Sequence, residues 1–231
     1  MLLRRRLIRI LRRTRARVRP SRAYKYARKR IPCACPRCSC PARAAGRYSF
    51  VYVSEPLRLI YYDVPKCAST TIRNVLFQND NALSLADPRN ERSSYFSFTF
   101  VRNPWSRMVS NWKMFTTQSA RIRQLKSMTD EDLSRFDDFV DFAIRVPNHH
   151  WQPQVLFLPE PVDFVGRVEN FEADFCRVLE RHGLENPVTE SLNVTDHKPY
   201  SAYYTDGLVD KVADFYAEDI RTFGYEFKRR V

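Results

Sequence analysis

The chain has 231 residues, of which 44% are hydrophobic and 13% aromatic, so it can bury a core of domain size. Its net charge of +13 is concentrated at one end, because residues 1–47 contain 17 of the 39 basic residues and no acidic residue. Residues 48–231, with 22 basic and 26 acidic residues, have a net charge of −4, which argues against nucleic acid as the partner of this body. No apolar run reaches the roughly 18–20 residues that a membrane-spanning helix needs.

Residues 1–47 are predicted to form a basic, poorly ordered leader, because Pro32, Pro36 and Pro41 interrupt any long helix. Such a leader can contact an anionic membrane surface, and a protein that binds membranes or nucleic acid through this arm is one alternative function. Four cysteines of the leader could bind zinc, but a structural zinc site usually takes its second pair of ligands from a distant segment. These cysteines are Cys33, Cys35, Cys38 and Cys40, and we therefore expect no metal at them.

The body, predicted to be one domain from 48 to 231, alternates strand and helix patterns. Apolar and β-branched runs predict strands at 57–64, 95–101 and 161–168. Periodic apolar positions and capping residues predict helices at 70–79, from Pro104 onward, from Ser134 onward, at 170–182 and at 206–222. This alternation is typical of an α/β domain whose central, mostly parallel sheet is flanked by helices on both faces.

The first candidate anion site is the sequence PKCASTT, where a strand ends and a helix begins. The backbone N–H groups of a helix N-terminus favour an anion, and Lys66 adds a full positive charge. Three hydroxyls follow, those of Ser69, Thr70 and Thr71. The same residues would also suit an ordinary strand-to-helix turn that a serine or threonine caps.

The second candidate anion site follows the next strand, in the sequence VRNPWSRMVS. Arg102 stands at the strand end, while Ser106, Arg107 and Ser110 are spaced to share one face of the helix. An arginine side chain can donate two parallel hydrogen bonds to a phosphate. Two anion sites at neighbouring strand ends predict a ligand that carries two anionic groups.

Glycines, which nucleotide-binding loops need, are missing from this part of the chain, since none lies between Gly46 and Gly166. This excludes the Walker loop of nucleoside triphosphatases and the GxGxxG turn of dinucleotide-binding domains. A P-loop-type kinase is therefore a weak alternative, which would gain support if the activity required magnesium. The pattern fits better a ligand with two separated phosphate-like groups and no obligatory metal.

The sequences VPKCASTTIRNVL and FTFVRNPWSRMVSNW resemble the paired signatures of carbohydrate sulfotransferases of the chondroitin/dermatan 4-O and heparan uronosyl types. The resemblance covers about 57–227 and implies a P-loop-like three-layer fold, 3′-phosphoadenosine-5′-phosphosulfate (PAPS) as sulfuryl donor, its product PAP, and a glycan acceptor. In that family the first loop binds the 5′-phosphosulfate, and an arginine and a serine eight residues apart bind the 3′-phosphate. The resemblance therefore implies donor contacts from Lys66, Ala68, Ser69, Thr70, Thr71, Arg102 and Ser110, with Lys198 as a weaker candidate.

Two catalytic roles follow from the chemistry of sulfuryl transfer. Lys66 can stabilise charge on the oxygen between phosphorus and sulfur, and a base must accept the proton of the acceptor hydroxyl. His150, directly before Trp151, matches the family's HW-x-P histidine and is the predicted base, with a purely structural histidine as the alternative. His149 and Glu169 are the other candidates for this role. Golgi members of the family carry a membrane anchor that is not recognised here, which favours a soluble or peripheral membrane protein.

Overall fold

The computed structural model describes residues 50–77, 93–158, 162–184 and 198–229. The basic leader with its cysteine cluster lies outside these residues, so the predictions about its order, its metal and its membrane contacts remain predictions. Among the described helices, none combines the length and the apolar character that crossing a membrane requires.

A four-stranded sheet forms the centre of the described body. Its strands are β1 (Val51–Ser54), β2 (Leu59–Tyr62), β3 (Phe96–Val101) and β4 (Phe164–Arg167), and they are neighbours in that order. β1 pairs antiparallel with β2, whereas β2, β3 and β4 run parallel to one another. The three predicted strands are thus confirmed as the parallel part of the sheet, and β1 is an addition that the sequence pattern did not reveal.

Helices surround this sheet, mostly where the apolar periodicity predicts them. They are α1 (Ser69–Ile72), α2 (Pro104–Thr117), α3 (Ser119–Lys126), α4 (Phe136–Arg145), α5 (Phe171–Arg181), α6 (Asp206–Phe215) and α7 (Ala217–Phe223). A π turn extends α1 over Arg73–Phe77, and 3-10 turns lie at Gln154–Phe157, Val168–Asn170 and Tyr200–Tyr203. The predicted α/β class with a mostly parallel sheet is confirmed.

Three details of the helices differ from the sequence prediction. Ser134 does not cap α4, since Arg135 precedes the helix and no side chain caps it. The single helix predicted at 206–222 is broken at Tyr216, a fully buried residue whose hydroxyl donates to a loop carbonyl, so tertiary packing overrides the helical periodicity. The additional helix α3 gave little apolar signal, because Leu125 is its only buried residue.

Helices pack against both faces of the sheet. On one face, aromatic residues of β2 and β3 such as Tyr61 and Phe98 pack against α1 and α5. On the other face, Val101 at the end of β3 joins a cluster with α2, α4, α6 and α7. Gly166 lets the Phe100 ring pack closely against β4, because a Cβ at this position would lie only 2.4 Å from that ring. At the edge of the sheet, the carboxyl ends of β2 and β3 lead to the starts of α1 and α2. This is the edge where ligands bind in open α/β sheets.

Candidate active site

The first loop, residues 63–68, connects β2 to α1 through an uncommon backbone conformation. Lys66 and Ala68 have positive φ angles of 72° and 61°, in a region that residues other than glycine rarely enter. No side chain caps α1, and the Ile72 N–H donates to the Ala68 carbonyl at 3.2 Å, so the helix starts directly from this turn. Each such residue costs about 1–3 kcal/mol and persists only where surrounding contacts hold it.

The three hydroxyls after this loop have different environments. Ser69 donates to the buried carboxylate of Asp63 and lies 3.2 Å from the carbonyl of Val64. Burial raises the pKa of Asp63, against the opposing effect of the hydrogen bond from Ser69. Thr70 is exposed, whereas Thr71 is buried. The Ser69 hydroxyl is thus engaged inside the fold, and Thr70 carries the most accessible hydroxyl of the three.

The second loop, residues 102–103, connects β3 to α2 with regular helix-start geometry. Pro104 occupies the first helical position as predicted, and the Asn103 side chain accepts from the Ser106 N–H at 3.2 Å. The half-buried Arg102 guanidinium donates to the Ser106 hydroxyl at 3.0 Å. Ser110 is half-buried, and its hydroxyl has no hydrogen-bond partner in the described part of the chain. Arg102 and Ser110 therefore both remain accessible to a ligand.

Glu169 supports the second loop from behind. One carboxylate oxygen accepts from the Asn103 backbone N–H at 2.7 Å, and the other accepts from the Tyr225 hydroxyl at 3.2 Å. Burial raises the pKa of Tyr225, and the neighbouring Glu169 carboxylate adds to this shift, so the tyrosine keeps its proton. Glu169 thus braces the end of β3.

Gln154 joins the two loops at their bases. Its Oε1 accepts from the Arg102 N–H at 2.9 Å and from the Cys67 thiol at 3.3 Å, while its Nε2 donates to the Arg102 carbonyl at 2.9 Å. The residue is fully buried, and its own N–H donates to the Asp219 carboxylate at 2.8 Å. Burial raises the pKa of Cys67 to about 12, so the thiol remains a donor. One side chain therefore holds both loops, a role that no sequence motif indicated.

Arg107 makes a second connection, from α2 to the first loop and to the histidine segment. Its fully buried guanidinium donates to three carbonyl oxygens: that of Pro65 at 3.0 Å, Gln152 at 2.8 Å and His150 at 3.1 Å. The sequence predicts this arginine on the ligand-binding face of α2. In the structure its side chain is instead buried in the fold, where it supports the first loop and the histidine segment. Because its partners are carbonyls, its charge is not neutralised by these contacts.

The region around the first loop is electrostatically positive. It contains four cations that form no salt bridge with any described residue: Lys66, Arg102, Arg107 and Arg121. The Lys66 Nζ instead lies 3.5 Å from the Met114 sulfur. Burial, followed by repulsion from Arg102 and the other two arginines, lowers the pKa of Lys66 to about 8. A polyanionic ligand would relieve this repulsion.

His149 and His150 lie in the segment after α4, with their ring centroids 4.0 Å apart. The His150 ring packs edge-on against Phe115 at 5.3 Å, and neither of its nitrogens has a hydrogen-bond partner among the described residues. Burial lowers the pKa of both histidines, that of His149 to about 4, and nearby cations including Arg121 add to the shift. Both imidazoles are therefore neutral at pH 7, a state that can accept a proton.

The last predicted donor residue, Lys198, is exposed at the start of the described segment 198–229. The turn that follows leads to Tyr204, whose hydroxyl donates to the Trp105 carbonyl at 2.9 Å. This anchors the segment on α2, although no described contact joins Lys198 to either loop. Within the ranges that the structure describes, no group of three or more His, Cys, Asp or Glu side chains is arranged to hold a metal ion.

The profile of the sulfotransferase family matches residues 50–226, which is most of the chain. The chain belongs to the sulfotransferase family. Both loops, Gln154 and the histidine segment lie within the matched region, and the resemblance seen in the sequence is thereby confirmed. No solved structure shows a significant match to the chain.

Three curated relatives show how far the similarity extends. Carbohydrate sulfotransferase 14 of Homo sapiens is 27% identical, with 56% of this chain and 46% of the relative covered. Carbohydrate sulfotransferase 11 of Mus musculus is 28% identical, with 57% and 52% covered. Carbohydrate sulfotransferase 14 of Danio rerio is 25% identical, with 76% and 62% covered. The chain therefore spans about half the length of the curated relatives it matches.

Proposed function

We propose that the protein is a carbohydrate O-sulfotransferase, which moves the sulfuryl group of PAPS to a hydroxyl of a carbohydrate acceptor. One observation carries the proposal: the two candidate anion loops at neighbouring strand ends are joined by Gln154 and surrounded by cations without salt-bridge partners among the described residues. A donor with a phosphosulfate at one end and a phosphate at the other matches two such loops. Carbohydrate as acceptor class rests on the names of the relatives.

The donor set of the site fits PAPS by its chemistry, since it consists of cations, hydroxyls and helix N-termini. Arg102 and Ser110 would hold the 3′-phosphate at the second loop. When bound, PAPS supplies an activated sulfuryl group whose leaving group is a phosphate oxygen. On the 5′ side, Lys66, Thr70 and Thr71 would hold the phosphosulfate with their side chains, and Ala68 and Ser69 would do so with their backbone. Lys198 is a further candidate.

The reaction needs charge stabilisation and one proton transfer. The acceptor oxygen forms a bond to sulfur while the bond between sulfur and the bridging phosphate oxygen breaks, so negative charge grows on that oxygen. Lys66 would stabilise this charge, and its pKa of about 8 keeps most of it protonated at pH 7. His150 would accept the proton that leaves the acceptor hydroxyl, and PAP departs with the bridging oxygen.

The assignment of the base to His150 rather than His149 is supported by its surroundings. Burial is the main cause of the lowered pKa of both histidines, and the charges of Arg121 and Arg107 add to it in both, but the charge of Lys66 contributes only to the shift of His150. The imidazole of His150 is therefore the one that shares its environment with the charge-stabilising lysine. Binding of an anionic donor would raise the pKa of His150 and make it a better base.

A titration of the full chain with PAP in the presence of EDTA tests the donor. We expect binding at one site, unaffected by the chelator and tighter than the binding of ATP. Radiolabelled PAPS and a panel of glycans then identify the acceptor by transfer of the label. Binding that requires a divalent metal, or a preference for ATP, would contradict the proposal and favour the kinase alternative.

Residues 1–47, which lie outside the described part, are proposed to bind anionic membrane surfaces through their 17 basic residues. Sedimentation with phosphatidylserine vesicles compares the full chain with a variant that lacks this leader. We expect only the full chain to sediment, and only at low salt, while both bind PAP equally. Equal sedimentation of both proteins contradicts the role of the leader.

A further inference from the structure

Two polar side chains buried beside the site have no hydrogen-bond partner among the described residues. Asn111 of α2 is fully buried, and neither its amide oxygen nor its amide nitrogen is paired. His150 is 7% exposed, and both its ring nitrogens are unpaired. Such groups are rare in native proteins, because the hydrogen bonds that they made to water before folding must be replaced. Each of these two groups therefore needs a partner that the described residues do not supply.

Asn111 lies between two residues of α2 that contact His150. Arg107, four residues earlier, donates to the His150 carbonyl at 3.1 Å. Phe115, four residues later, has its ring centroid 5.3 Å from that of His150. Residues four apart share one face of an α-helix and lie about 6 Å apart along its axis. The Asn111 amide therefore lies on the face that packs against the His150 segment.

We propose that Asn111 is a positioning residue for His150, and that one buried water molecule connects its amide to one ring nitrogen. A water molecule both donates and accepts hydrogen bonds, so it can pair with an amide and an imidazole at once. Buried waters typically make about three such bonds to polar groups that would otherwise be unsatisfied. In this connection the Asn111 amide oxygen accepts from the water and the water accepts from the ring N–H, so the hydrogen is held on that nitrogen and the lone pair of the other nitrogen is left for the acceptor proton. Only this last consequence rests on the proposed function.

Trp112, the next residue of α2, provides a matched control. Its indole N–H is likewise buried without a partner in the described residues. Its ring, however, packs against Phe136 and Tyr203 at 5.5 Å each, away from the histidine segment. Replacing Trp112 by Phe thus removes an unpaired polar group from the same helix without touching the proposed connection.

Nitrogen-15 NMR of the histidine rings tests the proposal on the free, full-length protein, with His150→Gln identifying the signals. We expect wild-type His150 to populate one neutral tautomer, and Asn111→Leu, which has a similar shape but no polar atoms, to populate both. Asn111→Asp keeps an acceptor oxygen and should keep one tautomer, and Trp112→Phe should leave the His150 signals unchanged. In turnover, Asn111→Leu should lower kcat about three- to tenfold, the range for one neutral hydrogen bond, with KM unchanged.

His150 signals that are the same in Asn111→Leu and wild type overturn the proposal, and so does a wild-type His150 that populates both tautomers. The second result needs no variant, so it decides even if Asn111→Leu does not fold. If instead the proposed function is wrong, the protein will transfer no sulfuryl group from PAPS to a glycan, while the tautomer of His150 will still depend on Asn111.

Discussion

The two candidate anion-binding loops are built in opposite ways. The second loop is an ordinary helix start, with Pro104 at the first helical position and the Asn103 side chain as cap. The first loop has two residues of positive φ, Lys66 and Ala68, and leads into a helix without a side-chain cap. The backbone conformation of the second loop is therefore one that its own residues favour, whereas the first loop has a conformation that its own sequence does not favour.

Contacts from distant parts of the chain hold the first loop. Gln154 accepts from Cys67 and Arg107 donates to the Pro65 carbonyl, while within the loop Asp63 accepts from Ser69. A loop without glycine can thus contain positive φ angles when tertiary hydrogen bonds replace the conformational freedom of glycine. Variants far from the first loop are therefore expected to impair it, and a change at Gln154 is expected to affect both loops.

The largest effect is expected for Lys66→Ala, which removes the charge that the first loop presents. We expect kcat to fall by about 10²–10³, the scale for one charge-stabilising donor, with a much smaller change in PAP affinity. Steady-state kinetics and PAP titration measure the two quantities. Lys113→Ala is the control, because this lysine lies over the Tyr203 ring at 4.8 Å. A variant that lost PAP binding but kept kcat would show that Lys66 acts in binding alone.

Arg102→Ala tests the contribution of the second loop. We expect PAP affinity to fall by about 1.5–3 kcal/mol, the usual range for hydrogen bonds to a charged group. Adenosine 5′-phosphosulfate, which lacks the 3′-phosphate, should bind wild type and variant alike. The exposed Arg123→Ala on α3 serves as the control. Equal losses for both nucleotides would mean that Arg102 does not recognise the 3′-phosphate.

Gln154→Leu breaks the connection between the loops without altering either sequence. It leaves the N–H and the carbonyl of Arg102 unpaired, so we expect the free energy of unfolding to fall by about 1–3 kcal/mol. PAP affinity should fall as well, because the loops are no longer held at one separation. Urea unfolding and PAP titration measure both effects. Gln152→Leu is the control, and an equal loss of PAP affinity in it would refute the special role of Gln154.

The same comparison explains how much the sequence could predict. Periodicity and capping patterns located three strands and the start of α2, because these features depend on neighbours in sequence. Resemblance to a family drew attention to Lys66 and Arg102. The role of Gln154 escaped detection, since its partners lie 52 and 87 residues away and the HW-x-P pattern just before it draws attention to His150 instead. The inward direction of Ser69 depends likewise on Asp63, a carboxylate that the hydroxyl pattern alone does not indicate.

The two cations of the loops should differ in their dependence on pH. Lys66 has a pKa of about 8, lowered from 10.5, so it loses its charge as the pH rises from 7 to 9. The value of kcat/KM, which reports the ionisation of the free enzyme, should therefore fall over this range, by at most about tenfold per pH unit for one group. Arg102 stays charged, so the dependence should vanish in Lys66→Met but persist in Arg102→Ala. A wild-type kcat/KM that is independent of pH over this range contradicts the lowered pKa.

The stability of the protein should change with pH in the other direction. Between pH 8 and 10.5 the unfolded chain holds a proton on Lys66 that the folded protein has released. The unfolded state binds more protons there, so the contribution of Lys66 makes the free energy of unfolding rise with pH. The difference between wild type and Lys66→Met in urea unfolding, measured at both ends of this range, isolates that contribution. A difference that does not grow with pH contradicts the assignment.

The smallest effects distinguish two adjacent hydroxyls of the first loop. Thr70 is exposed, and Thr70→Ala should weaken PAP binding by about 0.5–1.5 kcal/mol, the net value of one hydrogen bond. Ser69 donates to Asp63, so Ser69→Ala should leave PAP affinity nearly unchanged and instead lower the free energy of unfolding, because a buried carboxylate loses its donor. PAP titration and urea unfolding of both variants separate the two roles. If Ser69→Ala weakened PAP binding as much as Thr70→Ala and kept full stability, the serine would turn from Asp63 to the donor on binding, and the first loop would be rearranged by its ligand rather than held in place before it.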